Sequence, residues 1–95
     1  MQIRAGSRAV ATAGTPVQLK VANTYAEWLI VQNNEGNITA VVIGDTSVDA
    51  TEATRVGLLL TATAQVLQGP LNLADIWVDA ITNGDQCHFI YLERG

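Results

Sequence analysis

The sequence predicts an all-β protein: a single-domain antiparallel β-sandwich, jelly-roll-like, with about eight short strands and an extended N-terminal arm. Val, Ile and Thr are abundant, while Gly, Asn and Asp occur at short intervals between the apolar runs. No segment has an apolar period of 3.6 residues over the length of a helix. Strands that recur about every 8 to 12 residues, with turn signals between them, are typical of sandwiches and barrels.

The N-terminal segment, residues 1–12, is Ala-rich and irregular, which predicts an arm or an edge strand, and residues 13–95 then form the sandwich domain. A segment with so little apolar surface is not expected to order alone. We therefore expect the arm to order on contact with a neighbouring subunit and the sandwich to fold without it.

Three strands are predicted between residues 17 and 43. Residues 17–21 alternate apolar with polar side chains, as in a half-buried strand. Residues 28–31, Trp-Leu-Ile-Val, form a continuous apolar run that we expect to be buried on both faces, in the core or in an interface. After turn signals at residues 33–37, residues 38–43 are the return strand of a hairpin.

The second half begins with the longest polar segment, residues 44–57, which predicts a loop in which residues 49–53 suit one short helical turn. Gly69 and Pro70 are expected to end a strand, and Asn83-Gly84-Asp85 predicts a tight turn. The strands after the loop are expected at residues 58–60, 65–67, 76–80 and 87–92.

The charge content excludes some partners and favours others. The chain of 95 residues is 48% hydrophobic and only 15% charged, against about 25% charged in an average soluble domain. Its surface must therefore be covered by neutral polar groups or buried against a partner. The net charge is −4 and the five basic residues are scattered, so we expect neither nucleic acid nor a membrane surface as a partner.

The cysteine count and the N-terminus set the expected compartment. Cys87 is the only cysteine, which excludes an intrachain disulfide and a cysteine-based metal cluster. Residues 1–15 lack the continuous apolar run of a signal peptide, and no stretch has the length of a membrane helix. We expect a protein that is made in a reducing cytosol and stays soluble until it assembles.

The residues that could support catalysis do not form a recognisable site, so we expect no enzyme and no cofactor. Cys87 and His88 are neighbours on a predicted strand, and their side chains should point to opposite faces. Asp45, Asp49 and Glu52 cluster in the polar loop and could bind a cation, but we favour a solvated loop. Asp75, Asp79 and Asp85 could supply a carboxylate pair for sugar hydrolysis, but nothing in the sequence places two of them across a cleft.

The aromatic residues give the clearest sign of a contact surface. One of the two tryptophans, Trp28 and Trp77, should fill the core. Trp77 alternates with Ile76 and Val78, so it should face outward if they face the core. An outward Trp77, with Tyr25 nearby, suits either a sugar-stacking platform or a subunit contact, and we favour the contact. The predicted interface residues are Ile3, Arg4, Arg8, Val10, Tyr25 and Trp77.

Two motifs, AGTPVQL at residues 13–19 and LADIWVDA at residues 73–80, resemble an "AGTAVQL" opening and an "LxDIYVDA" segment of the small virion structural proteins of tailed phages and prophages. Between them lie an apolar strand, a strand ending in a Gly-Asp turn and a "GxxL" segment, and after them come Asn-Gly-Asp and Phe-Ile-Tyr. The resemblance covers residues 10–93. It fails at residues 61–65, TATAQ, where the family pattern has a Pro-Gly-Glu-Ser-like turn.

The resemblance implies a β-sandwich capsid decoration or cement protein, without catalytic residues. On this basis we expect a homotrimer on the capsid surface of a virion, made in the host cytoplasm, which binds the major capsid protein and stabilises the shell. Two alternatives stay open: a tail- or baseplate-associated subunit, and a carbohydrate-binding module that contacts host glycans.

Overall fold

Two four-stranded antiparallel sheets pack face to face in the computed structural model, which describes residues 1–94. Sheet A has the strand order β1-β8-β3-β6, and sheet B has the order β2-β7-β4-β5. The strands are β1 Gln2–Ala9, β2 Val17–Gln18, β3 Tyr25–Asn33, β4 Val41–Gly44, β5 Leu58–Leu59, β6 Gln65–Asn72, β7 Trp77–Ala80 and β8 Gln86–Glu93. The prediction of a single-domain sandwich with eight strands is confirmed.

The pairing of the strands follows one rule. The first strand pairs with the eighth, the second with the seventh, the third with the sixth and the fourth with the fifth. Contacts between β3 and β8 and between β4 and β7 then complete the sheets. This is a long antiparallel ribbon rolled into two sheets, the topology of a jelly roll.

The N-terminal segment is an edge strand along most of its length. Residues Gln2–Ala9 form β1 and pair in unbroken register with β8. Val10, which follows, has no exposed surface and lies in the core. The expectation that residues 1–12 order only on contact with a neighbour is therefore wrong. Removing them would take a core side chain and uncover β8, so the sandwich is not expected to fold intact without them.

The core lies between the two sheets. It is built from the inward-facing side chains of alternate strand positions, such as Leu29 and Val31 of β3 and Val41 and Ile43 of β4, and it includes the stacked rings of Phe89 and Tyr91, 5.9 Å apart. Complete burial of a side chain of this size stabilises the fold by about 1.5–3 kcal/mol. No Trp belongs to this cluster among the described residues, so the expectation that a Trp fills the central core is wrong.

Two further predictions are corrected in sheet A. The run at residues 28–31 is buried on one face only: Leu29 and Val31 are fully buried, whereas Trp28 and Ile30 are half-buried on the other side. The strand also does not end at Gly69, since β6 continues to Asn72. A Cβ at Gly69 would lie 2.6 Å from carbonyl oxygens of the β3 bulge, so only glycine fits at this position. Beyond it, the pairing of β6 with β3 continues to Asn72.

In the polar segment, the helical turn lies slightly later than predicted, as a single 3-10 turn at Glu52–Thr54. A second such turn, Leu73–Asp75, precedes β7, and its start is capped by the Asn72 side chain, which accepts from the Ala74 N–H.

Candidate functional site

The outer face of sheet A has an apolar row that runs across all four strands. Ala5 pairs with Ile90, Ile90 with Ile30, and Ile30 with Val66. Ile90 is 37% exposed and Val66 is 59% exposed. Because paired residues point to the same side of a sheet, the four side chains form a continuous stripe in contact with solvent.

A second row extends this stripe toward one end of the sheet. Ile3, which is 52% exposed, pairs with Leu92, and Trp28 lies two residues before Ile30 on the same face. None of these side chains packs against the core. We call the surface formed by both rows the open face; it consists of Ile3, Ala5, Trp28, Ile30, Val66, Ile90 and Leu92.

A neutral polar row borders the open face on the opposite side. Ser7 pairs with His88, and His88 pairs with Gln32. The His88 ring nitrogen Nε2 lies 2.8 Å from the Asn34 side-chain oxygen. Between His88, Gln32 and residues 33–35 there is a depression of about 330 Å³. The residues of the open face and of this row include no Asp, Glu, Lys or Arg, whereas the depression beside the row is lined by one carboxylate, Glu35.

The outer face of sheet B is covered by the chain itself over β4 and β7, while Leu59 of the edge strand β5 stays 37% exposed. Val48 and Ala50, from the segment between β4 and β5, are buried against Val42 and the half-buried Trp77. A two-way backbone pairing between Asp49 and Val56 closes this segment on itself. The polar loop predicted at residues 44–57 is therefore a lid on sheet B with a small apolar core of its own.

A buried carboxylate fastens that lid. Asp79 is 2% exposed, and its oxygens accept from the Ala50 N–H at 2.8 Å and from the Gly14 N–H at 3.1 Å. One side chain of β7 thus holds both the lid and the turn before β2. Because the buried Ala50 N–H and the partly buried Gly14 N–H would lose their acceptor without it, Asp79 has a structural role.

The structure distributes the predicted interface residues of the N-terminal segment over different surroundings. Ile3 lies on the open face. Arg4 and Arg8 lie in the inward-facing row of β1, where Arg4 pairs with Glu93 at 3.4 Å and Arg8 Nε donates to the Gln18 carbonyl at 2.8 Å. Val10 is completely buried, so it is not available to a partner.

The two aromatic residues predicted to share a contact surface lie on opposite sides of the sandwich. Tyr25 is 53% exposed and alternates with the buried Ala26, which places it on the outer side of sheet A. Trp77 does face away from Val78, as the alternation predicts, but it lies under the lid of sheet B. A glycan platform made of both rings is therefore ruled out by their placement.

Cys87 and His88 lie on opposite faces of β8, as the alternation of a strand predicts. Cys87 has no exposed surface, and burial raises the pKa of its thiol to about 11. His88 is exposed on the outer face. The nucleophilic form of a cysteine is the thiolate, and a raised pKa keeps the Cys87 thiol protonated at neutral pH. Cys87 is therefore a core residue and not a nucleophile.

The acidic residues of the lid are engaged within their own turns. Asp45 accepts from the side chain and the backbone of Ser47, and these bonds lower its pKa. Asp49 accepts from the Thr54 hydroxyl and the Thr51 N–H, which lower its pKa in the same way. Across residues 1–94, no three metal-ligating side chains converge on one point.

The other acidic trio does not form a pair across a cleft. Asp75 is exposed, Asp79 fastens the lid, and Asp85 is 4% exposed. Asp85 accepts from the Ile38 N–H, the Thr39 N–H and the Thr39 hydroxyl. Burial acts to raise the pKa of Asp85, but these bonds outweigh it and leave the pKa lowered. It joins the turn before β8 to the connection between β3 and β4.

Sequence reasoning missed the open face. Its stripe draws one residue from each of four strands, and it is visible only once the register of all four is known. The signal that could have indicated it is the alternation in β8, where His88, Ile90 and Leu92 form the side opposite the buried Cys87 and Phe89.

Comparison of the chain with protein-family models, with curated proteins and with solved structures gave no match in any of the three. Among the described residues, no helix is long and apolar enough to cross a membrane. The geometry of the chain's own surface is thus the basis for assigning a role.

Proposed function

We propose that this protein is a structural subunit of a phage virion, a capsid decoration protein that packs against copies of itself and against the major capsid shell. The observation that supports the proposal is the open face. An exposed apolar surface that spans a whole sheet marks a site of protein–protein contact. Only 15% of the residues are charged, so little electrostatic repulsion opposes association.

The jelly roll is compatible with this role but does not decide it, because one fold serves many functions. The assignment to a virion is based on the resemblance of residues 10–93 to phage structural proteins. In such an assembly, the symmetry of the shell multiplies a modest contact by the number of copies. Binding only to the mature shell would stabilise that shell by mass action.

The test is to measure the copy number of the protein in purified particles of the phage or prophage whose structural genes adjoin its own. Quantitative mass spectrometry against the major capsid protein should find hundreds of copies in each particle. Heads made without the protein should bind the purified full chain in a sedimentation assay and should resist heating better afterwards. Absence of the protein from the particles would refute the proposal.

The runner-up is a tail or baseplate subunit, and the same measurement separates the two roles. A tail-tip protein is present in only a few copies, and heads lacking it would not bind the purified chain.

A further inference from the structure

We infer that the open face of sheet A is covered by the same face of a second copy, in a dimer with two-fold symmetry. The inference extends the proposed function by naming the partner of this surface, but it depends on the open face alone.

The pattern of the open face is self-complementary. A two-fold axis parallel to the strands, between β8 and β3, places Ile90 opposite Ile30 of the partner subunit and the small Ala5 opposite the larger Val66 of the partner subunit. The same axis places the polar row of Ser7, His88 and Gln32 on its own copy. The central stripe thus meets the stripe of the second copy and the polar row meets the polar row, as an isologous contact requires. In the second row the exposed Gln68, which pairs with Trp28, is the one polar side chain that the axis places opposite Ile3 of the partner subunit.

Charge favours a second copy over a charged partner surface. Each copy has a net charge of −4, so two copies repel each other unless the contact is placed where no like charges meet. The open face and its polar row meet this condition, since they contain no Asp, Glu, Lys or Arg. The ion pair of Arg94 with Glu27, at 3.1 Å, lies just after β8 and at the β3 bulge, next to the second row of the open face and outside the central stripe.

The area of the face suits a weak dimer. Strands lie about 4.8 Å apart and same-face residues about 6.8 Å apart, so four strands and three rows cover about 400 Å² on each copy. Two copies bury about 800 Å² before the relief of the side chains is counted, which is below the roughly 1,200–2,000 Å² of stable specific interfaces and in the range of weak, transient ones. We therefore expect a dissociation constant in the micromolar range.

Both edges of sheet A discourage the other route to self-association, in which strands of two copies pair side by side. At one edge, Arg4 and Arg8 lie on the inner side of β1 and engage Glu93 and the Gln18 carbonyl. At the other, Pro70 removes a backbone donor from β6. Inward charges and edge prolines are recognised guards against edge pairing, so we expect copies not to associate through the edges of sheet A.

The test is sedimentation of the full chain across the micromolar range, for the parent and three variants. The parent should dimerise. Ile90→Lys and Val66→Lys should each raise the dissociation constant at least about tenfold, because each places two like charges in a dry contact. Leu59→Lys, at a side chain equally 37% exposed but on sheet B, should leave it unchanged. Val66 is 59% exposed on an edge strand, so its variant should fold even if Ile90→Lys does not.

A mixing experiment tests the register. Ile30→Cys and Ile90→Cys chains, prepared separately and then mixed under mild oxidation, should form a mixed disulfide more readily than either chain forms one with itself. The native Cys87 is buried and should not compete.

A monomer throughout the range, a trimer as implied by the resemblance, or an equal loss with Leu59→Lys would overturn the inference. A parent that dimerises but fails to bind heads would refute the proposed function alone, and a monomer that binds heads would refute the dimer alone.

Discussion

The outer faces of the two sheets differ in how far their apolar side chains are shielded from solvent. Each sheet has apolar side chains on the side away from the core. On sheet B the chain supplies its own cover, the lid between β4 and β5, with Val48 and Ala50 packed on Val42 and Trp77. On sheet A, no segment within residues 1–94 crosses the stripe that ends at Val66, and the side chains stay in contact with solvent. The comparison shows that the chain covers one outer face with its own lid and leaves an apolar stripe on the other face in contact with solvent.

The two tryptophans provide the sharpest test of this contrast. Trp77→Ala should lower the free energy of unfolding by about 3 kcal/mol, because it empties the small core beneath the lid. Trp28→Ala should lower it by only about 1 kcal/mol but should weaken dimerisation about tenfold. Urea unfolding and sedimentation of both variants measure the two effects. Equal losses of stability would show that the faces do not differ in this way.

The carboxylate that fastens the lid should have the next largest effect. Asp79→Ala leaves the Ala50 and Gly14 N–H groups without acceptors and should cost about 2 kcal/mol of stability. Hydrogen exchange should rise across the lid and stay unchanged on the stripe strands. Asp75→Ala, at an exposed acidic residue on the neighbouring turn, is the matched control. Faster exchange spread evenly over both sheets would contradict a local fastening role.

The bulge that shapes sheet A can be tested at a glycine. Gly69→Ala places a Cβ 2.6 Å from the Ala26 and Glu27 carbonyl oxygens, and we expect a loss of about 1–2 kcal/mol together with weaker dimerisation, since Trp28 follows the bulge directly. Gly36→Ala meets its nearest atom at an ordinary 3.6 Å and should change neither quantity. A neutral Gly69→Ala would mean that the close approach is not maintained in solution.

Acid should lower the stability of the end of the sandwich where Asp85 joins the turn before β8 to the connection between β3 and β4. It should not change the outer faces of the two sheets. The pKa of Asp85 is lowered in the folded state, so its contribution to stability is present above the ordinary pKa of an Asp, about 3.9, and is lost as the pH falls through the folded value. Asp85→Asn should flatten this acid-side decline in a thermal melt series. The parent and the variant should dimerise alike at neutral pH.

The sequence was sufficient for the fold class and insufficient for the surfaces. Period-two alternation around Val78 and Phe89, with a turn at Gly84, predicts strands without tertiary information, and the eight strands are present. The failures share a cause. Whether Trp28 is buried, whether Pro70 ends a strand, and whether Val10 belongs to an arm or a core depend on which strands become neighbours, and neighbours far apart in the chain leave no local signal.

The pairing of the first strand with the eighth has a consequence for the order of events during folding. The stripe of the open face takes Ala5 from one end of the chain and Ile90 from the other. A ribosome-bound chain that lacks β8 has neither the stripe nor a partner for β1, whereas the β4–β5 hairpin can already close. Pairing over such sequence separations is slow. The dimer proposed for this face would therefore form only from the completed chain, after β8 has joined β1 and β3.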